Sequence, residues 1–216
     1  MREHIKKALK SLKKFWDYIW HDDSLLSYVL NFALAFLFIK YLFFPGLGLV
    51  LNNDYPVVAI VSGSMEHDIV HHQICDKKIV DVRDENLNNK EWWGYCGKYY
   101  EKNYNITLDE FEEFDYPNGL NIGDVMILYG KDYEDIEKGE ILVFVPNDEN
   151  FYEQKGPVIH RVMKSWQDEE GDYHFQTKGD HNPQSFDNFE RDIPEENVIG
   201  VGVVRIPFVG YAKIAL

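Results

Sequence analysis

Residues 61–66 read Val-Ser-Gly-Ser-Met-Glu, a short turn at the end of an apolar run. A serine hydroxyl is a weak nucleophile until a base removes its proton. Ser64 therefore matters chemically only if the chain also supplies a base and a group to orient it. His160 lies in PVIHRVM, where strand alternation puts it on one face with Val158 and Val162. A lone histidine there is more often a satisfied core residue than a catalyst. What raises its standing is the turn-rich TKGDHNPQSFD at 177–187, which carries two acids, Asp180 and Asp187. An acid beside an imidazole fixes its tautomer and stabilises its charged form. Together these residues predict acyl transfer, with Ser64 as nucleophile, His160 as general base and Asp180 or Asp187 as the orienting acid. The backbone N–H of Ser64 and the hydroxyl of Ser62 would receive the oxyanion, and Gly63 permits close backbone approach. Two other serine arrangements are excluded locally. Position 62 is Ser, so there is no GxSxG elbow; position 67 is His, so there is no SxxK.

His67, His71, His72, Cys75 and Cys96 are ligand types for zinc, but their spacing fits no standard pattern, and no metal or other cofactor is expected. Cys75 and Cys96 are either bridged or two free thiols; the sequence leaves both open.

The elements that must position these residues follow from charge and hydropathy. The formal net charge is −15, yet residues 1–52 sum to +3, leaving −18 on the remainder. So acidic a body argues against nucleic-acid binding. Residues 24–50, SLLSYVLNFALAFLFIKYLFFPGLGLV, are long enough to cross a bilayer core of ~30 Å as a helix, although Asn31 and Lys40 interrupt the run. A cleaved secretory signal would have a shorter apolar region and a small-residue site after it, which is missing here. Arg2, Lys6, Lys7, Lys10, Lys13 and Lys14 precede the run, so the positive-inside rule puts the N-terminus in the cytoplasm and the body outside. Ile5, Leu9, Leu12, Phe15, Trp16 and Trp20 recur at helical spacing, which predicts an interfacial basic helix over 1–20.

The body reads as short strands at 55–61, 124–130, 140–146, 157–163, 172–178 and 197–206, rich in β-branched and aromatic residues. This predicts a mainly β fold of partly closed antiparallel sheets. Residues 67–120 break the rhythm and read as an insert, with a helix near 107–114 capped by Thr107. The predicted organisation is a basic cytoplasmic head (1–23), a transmembrane helix (24–50) and an extracytoplasmic catalytic β domain (51–216) with the insert at 67–120. About 13 residues separate Val50 from Ser64, at most ~45 Å of extended chain, so the site is expected close to the membrane plane.

The order Ser-Gly-Ser-Met-Glu, then Gly123-Asp124, then Lys138-Gly139-Glu140, then His160-Arg161, then Thr177-Lys178-Gly179-Asp180 resembles the type I signal peptidases. The His-Arg pair is similar to the archaeal and endoplasmic-reticulum branch; the typical bacterial branch has Lys at that place. The resemblance runs from about residue 24 to 210, minus the insert. It implies a membrane-anchored serine endopeptidase that removes signal peptides from exported preproteins, with those preproteins, the lipid bilayer and the protein-export channel as partners. It assigns Ser64 as nucleophile, Ser62 to the oxyanion hole, His160 as base, and Asp187 ahead of Asp180 as the acid. The chain departs from the family where Pro usually follows Met-Glu (His67 here), at His181 in the acidic loop, and in the spacing of the second acid. The rival expectation is a non-catalytic, membrane-anchored peptide-binding subunit with the same fold.

Overall fold

A computed structural model describes residues 2–70, 72–79, 87–147, 152 and 156–211. His71, one of the zinc-type residues, lies outside them, as do 80–86 of the insert. The chain divides into two compact units, residues 1–50 and 51–216.

In the first unit, helix α1 (Arg2–His21) is joined by a short turn to α2 (Leu25–Phe38). Ser24 caps α2, accepting from the Ser27 amide, and Ser27 Oγ donates back to the carbonyls of Tyr18 and Ile19. These bonds satisfy groups that a helix end would otherwise leave orphaned. A π-helical turn (Ile39–Phe43) joins α2 to α3 (Phe44–Leu51), and the Phe44 amide donates to the Ile39 carbonyl. The wide turn ends two residues before Pro45, whose ring and missing N–H would disrupt a regular α-helix. Residues Leu25–Leu51 form the helix long and apolar enough to cross a membrane among those described.

The second unit is mainly β. Its strands are β1 (Val57–Ala59), β2 (Gln73–Ile74), β3 (Lys77–Lys78), β4 (Val125–Tyr129), β5 (Ile141–Phe144), β6 (Val158–Gln167), β7 (Tyr173–Lys178), β8 (Ile193–Pro194) and β9 (Val198–Ile206). Seven of them make one antiparallel sheet in the order β1-β4-β9-β5-β6-β7-β8, and β2 and β3 form a separate hairpin. Register shifts at Ile127/Leu128, Val143/Phe144 and Val162/Lys164 curl the sheet, as bulges increase local twist. All six strands expected from the sequence are present; five are shorter at the ends, where Pro, Gly and Asn intervene, and β6 runs four residues beyond the expected 163.

One cluster, with Ile60, Met65, Met126, Leu128, Ile141 and Ile159, covers one side of the sheet. Another, with Leu142, Phe144, Val158, Val162, Phe175 and Val201, covers the other. The alternation along β6 is the one expected: Val158 and Val162 pack in one cluster and Ile159 in the opposite one.

The insert packs as part of the body. Helix α4 (Asn89–Tyr104) opens with a reciprocal capping box between Asn88 and Glu91, and α5 (Leu108–Glu112) follows. Thr107 caps α5 by accepting from the Glu110 amide. Trp92, Tyr100 and Phe111 are fully buried with Ile69, Ile74 and Met163. At about 1.5–3 kcal/mol for each large apolar side chain removed from water, this cluster is a substantial part of the core. Cys75, at the tip of the β2–β3 hairpin, is bridged to Cys96 of α4, with their Cα atoms 5.6 Å apart.

Candidate active site

Ser64 and His160 reach the same place from distant parts of the chain. Met65 is fully buried in the sheet cluster, and its carbonyl accepts from the Leu120 amide. The Glu66 amide donates to the Gly63 carbonyl, closing the turn, while the Glu66 carboxylate accepts from the Ile122 amide. A Cβ at position 63 would sit 2.6 Å from that carboxylate, so a larger residue there would force the Glu66 side chain to shift. This anchoring presents Ser64 Oγ 2.9 Å from His160 Nε2. His160 itself is fixed by β6, which pairs it with Leu142 of β5. Ser62 Oγ lies 3.2 Å from Ser64 Oγ.

The third residue at the site is Glu190. Its Oε1 approaches His160 Nδ1 to 2.6 Å. The approach is close but off the line of a straight hydrogen bond, and Nδ1 has no better-aligned partner among the described residues. Glu190 is fully buried, and its two oxygens also accept from the amides of Gly179 (3.1 Å) and Phe186 (2.7 Å). A carboxylate there favours the Nδ1–H tautomer of His160, leaving Nε2 free to accept from Ser64.

Neither expected acid occupies that place. Asp187 is 78 % exposed and pairs with Arg191 at 2.5 Å. Asp180 is fully buried but faces away into a polar network: it accepts from Arg161 Nε (3.0 Å) and Nη2 (2.7 Å), from the Tyr100 hydroxyl (2.9 Å), and lies 3.0 Å from His67 Nε2. Burial pushes the Asp180 carboxyl up, but the Arg161 charge and the bonds from His67 and Arg161 outweigh it and hold the group well below the usual range. The remaining Arg161 donors go to the carbonyls of Asp115, Gly139 and Tyr116. Burial also lowers Lys178 to about 8, against the opposing charges of Asp180 and Glu190.

Sequence reasoning therefore missed Glu190 and the Arg161–Tyr100–His67 surroundings of Asp180. Glu190 lies three residues past Asp187, outside the turn-rich 177–187 run, and no local pattern there separates it from the other acids. Gly179 is the residue that lets this loop close over the site. A Cβ there would sit 2.7 Å from His160 Nε2 and 2.9 Å from the Ser64 carbonyl.

No protein-family model matches the chain. Similarity to individual proteins is extensive. The catalytic subunit SEC11 of the signal peptidase complex from Tuber melanosporum is 26 % identical over 200 residues, covering 89 % of this chain and 80 % of the relative. The SEC11 subunits of Colletotrichum graminicola and Komagataella phaffii are 25 % identical over 195 residues and 26 % over 207, each covering 88 % of this chain and 80 % and 83 % of the relatives. The chain is a homologue of the type I signal peptidases, in their endoplasmic-reticulum branch.

In this signal peptidase homologue, a cleft of about 350 Å³ adjoins Ser64 and His160. Its apolar lining includes Val58, Val61, Ile159, Phe186 and Phe189. Phe186 and Phe189 stack with centroids 5.7 Å apart. Strand β1 ends the sheet order, so one of its edges has no partner strand among the described residues. The cleft runs beside that strand, next to the start of β6.

Proposed function

We propose that the chain is a membrane-anchored serine endopeptidase that removes signal peptides from exported preproteins. The observation that carries this reading is the Ser64 Oγ–His160 Nε2 distance of 2.9 Å with buried Glu190 at the other imidazole nitrogen. His160 Nε2 takes the Ser64 proton as Oγ attacks the scissile carbonyl carbon. The oxyanion is met by the Ser64 amide and the Ser62 hydroxyl. The charged imidazole is stabilised by Glu190 and passes its proton to the leaving amine, whose bond to the carbonyl breaks. Water, deprotonated by the same His160, then hydrolyses the acyl-enzyme and restores Ser64. The orienting role expected of Asp187 or Asp180 passes to Glu190; Asp180 serves the fold beneath the site.

An extended peptide fits as an added strand on the free edge of β1, with small side chains turned into the apolar cleft. The helix Leu25–Leu51 supports an anchor, and the lysine-rich segment before it supports a cytoplasmic head. The Cys75–Cys96 bridge supports a body on the oxidising side of the membrane. The short link from Val50 to Ser64 supports a site near the bilayer, where a signal peptide's cleavage point emerges. Partners on this reading are preproteins, the bilayer and the export channel.

The test is cleavage of a labelled preprotein by Glu190→Gln beside Ser62→Ala. Loss of one oxyanion donor is expected to cost at most ~10²–10³-fold. Undiminished turnover in both variants would refute these assignments.

A further inference from the structure

One buried titratable side chain beside the nucleophile turn takes no part in the proton transfers above. His67 is 2 % exposed. Its ring lies flat on Trp92 of α4, with centroids 3.9 Å and planes 3° apart. Nε2 is 3.0 Å from Asp180 Oδ2, whereas Nδ1 is buried without a partner among the described residues. A protonated ring would bury an unpaired N–H at Nδ1, a costly arrangement. The neutral Nε2–H tautomer fits, and it donates to Asp180. Burial also pushes His67 below the ordinary histidine range, against the pull of Asp180.

Asp180 is a rigid post, held by Arg161 and by Tyr100 of α4. Lys178 Nζ adds bonds to the Gly179 and Asp180 carbonyls and to the Tyr100 hydroxyl. Three contacts in neighbouring residues tie the nucleophile turn to this post. The His181 amide donates to the Ser64 carbonyl (2.8 Å), His181 Nδ1 lies 3.2 Å from the Glu66 carbonyl, and His67 meets Asp180. The same loop brings Gly179 against His160.

We infer that His67 is a positioning residue: by donating to Asp180, with Trp92 of the insert as its backing, it holds the Ser64 turn at the distance His160 requires. The consequence for rate rests on the serine-peptidase reading; the geometric part can be judged without it.

The experiment uses the full-length chain in detergent and follows labelling of Ser64 by a fluorescent alkylphosphonate in wild type, His67→Gln and His67→Leu. Glutamine can still donate to Asp180; leucine cannot. A displacement near 1 Å can cost ~10²-fold, so His67→Leu is expected to label at least ~10-fold more slowly and His67→Gln within ~3-fold of wild type. On a peptide substrate the loss is expected in kcat rather than KM. Equal rates in all three proteins would overturn the inference. So would equal slowing of both variants, which would assign the effect to packing on Trp92. Hydrogen exchange across 62–67 and 179–182 provides a readout independent of activity. Faster exchange in His67→Leu but not in His67→Gln is expected, and no difference overturns the inference. Should wild type resist the phosphonate, the peptidase reading fails and exchange alone decides the positioning. Should His67→Leu not fold, His67→Asn, polar but too short to reach Asp180, replaces it: slower labelling and faster exchange are again expected, and rates equal to wild type again overturn the inference.

Discussion

Glu190 and Asp187 stand three residues apart on one loop, yet only Glu190 turns back under His160. The reason is backbone pairing. The Thr177 amide donates to the Glu190 carbonyl and the Glu190 amide to the Phe186 carbonyl, which brings residue 190 inward and leaves Asp187 in solvent. Glu190→Gln is expected to lower kcat by about 10²–10⁴-fold, by analogy with neutralising a triad acid, while Asp187→Asn stays within about 2-fold. Steady-state cleavage of a peptide checks both, and the reverse ranking would restore Asp187. The meeting of Ser64 and His160 was legible because each stands out in local pattern, a turn after a strand and a histidine inside an apolar run. The acid was not legible, since which carboxylate meets the imidazole depends on how a turn-rich loop closes. His67 adds a pH dependence. Burial holds it below the ordinary value of 6.5. The unfolded chain therefore binds the extra proton first as pH falls. Stability from this group is full above 6.5 and declines as pH drops toward the folded value. The Asp180 contribution is lost only farther down, below 3.8. Thermal melts between about pH 7.5 and 5.5 are expected to fall more for wild type than for His67→Gln; parallel falls would remove His67 as the cause.

Helix α4 links the insert to the site through Trp92 and Tyr100, and the Cys75–Cys96 bridge ties that helix to the β2–β3 hairpin. The bridge spans 21 residues of sequence, a loop length for which chain entropy gives about 3 kcal/mol. Replacing both cysteines by serine is expected to lower the melting temperature by several degrees and to slow phosphonate labelling of Ser64; an unchanged melt would leave the bridge without a stabilising role. At this scale the strands were readable, because runs such as VMILY and ILVF combine β-branched residues with bounding Gly, Pro and Asp. Helix α4 was not. Gly94, Gly97 and a dense aromatic composition obscure its apolar stripe, and its one clear sign was the Asn88–Glu91 capping box. The helix expected near 107–114 is shorter, Leu108–Glu112, but begins where its cap, Thr107, was read.

The whole chain joins an apolar helix and a basic head to an acidic body that forms a compact unit of its own. On the proposed reading, the anchor confines enzyme and preprotein to one surface and raises their effective concentration, a gain that can reach ~10²–10⁴-fold. Deleting residues 1–50 is expected to leave weak cleavage of short soluble peptides and to remove most activity on membrane-inserted preproteins. Full activity on both would reduce the anchor to a means of localisation. The central claim is that Ser64 is the nucleophile of a signal-peptide-cleaving site, and one measurement meets it directly. A preprotein inserted in vesicles is incubated with full-length wild type or Ser64→Ala, and the new N-terminus is read by mass spectrometry. Cleavage at one position by wild type and none above background by a folded Ser64→Ala is the result expected; equal cleavage by the two proteins would contradict the claim.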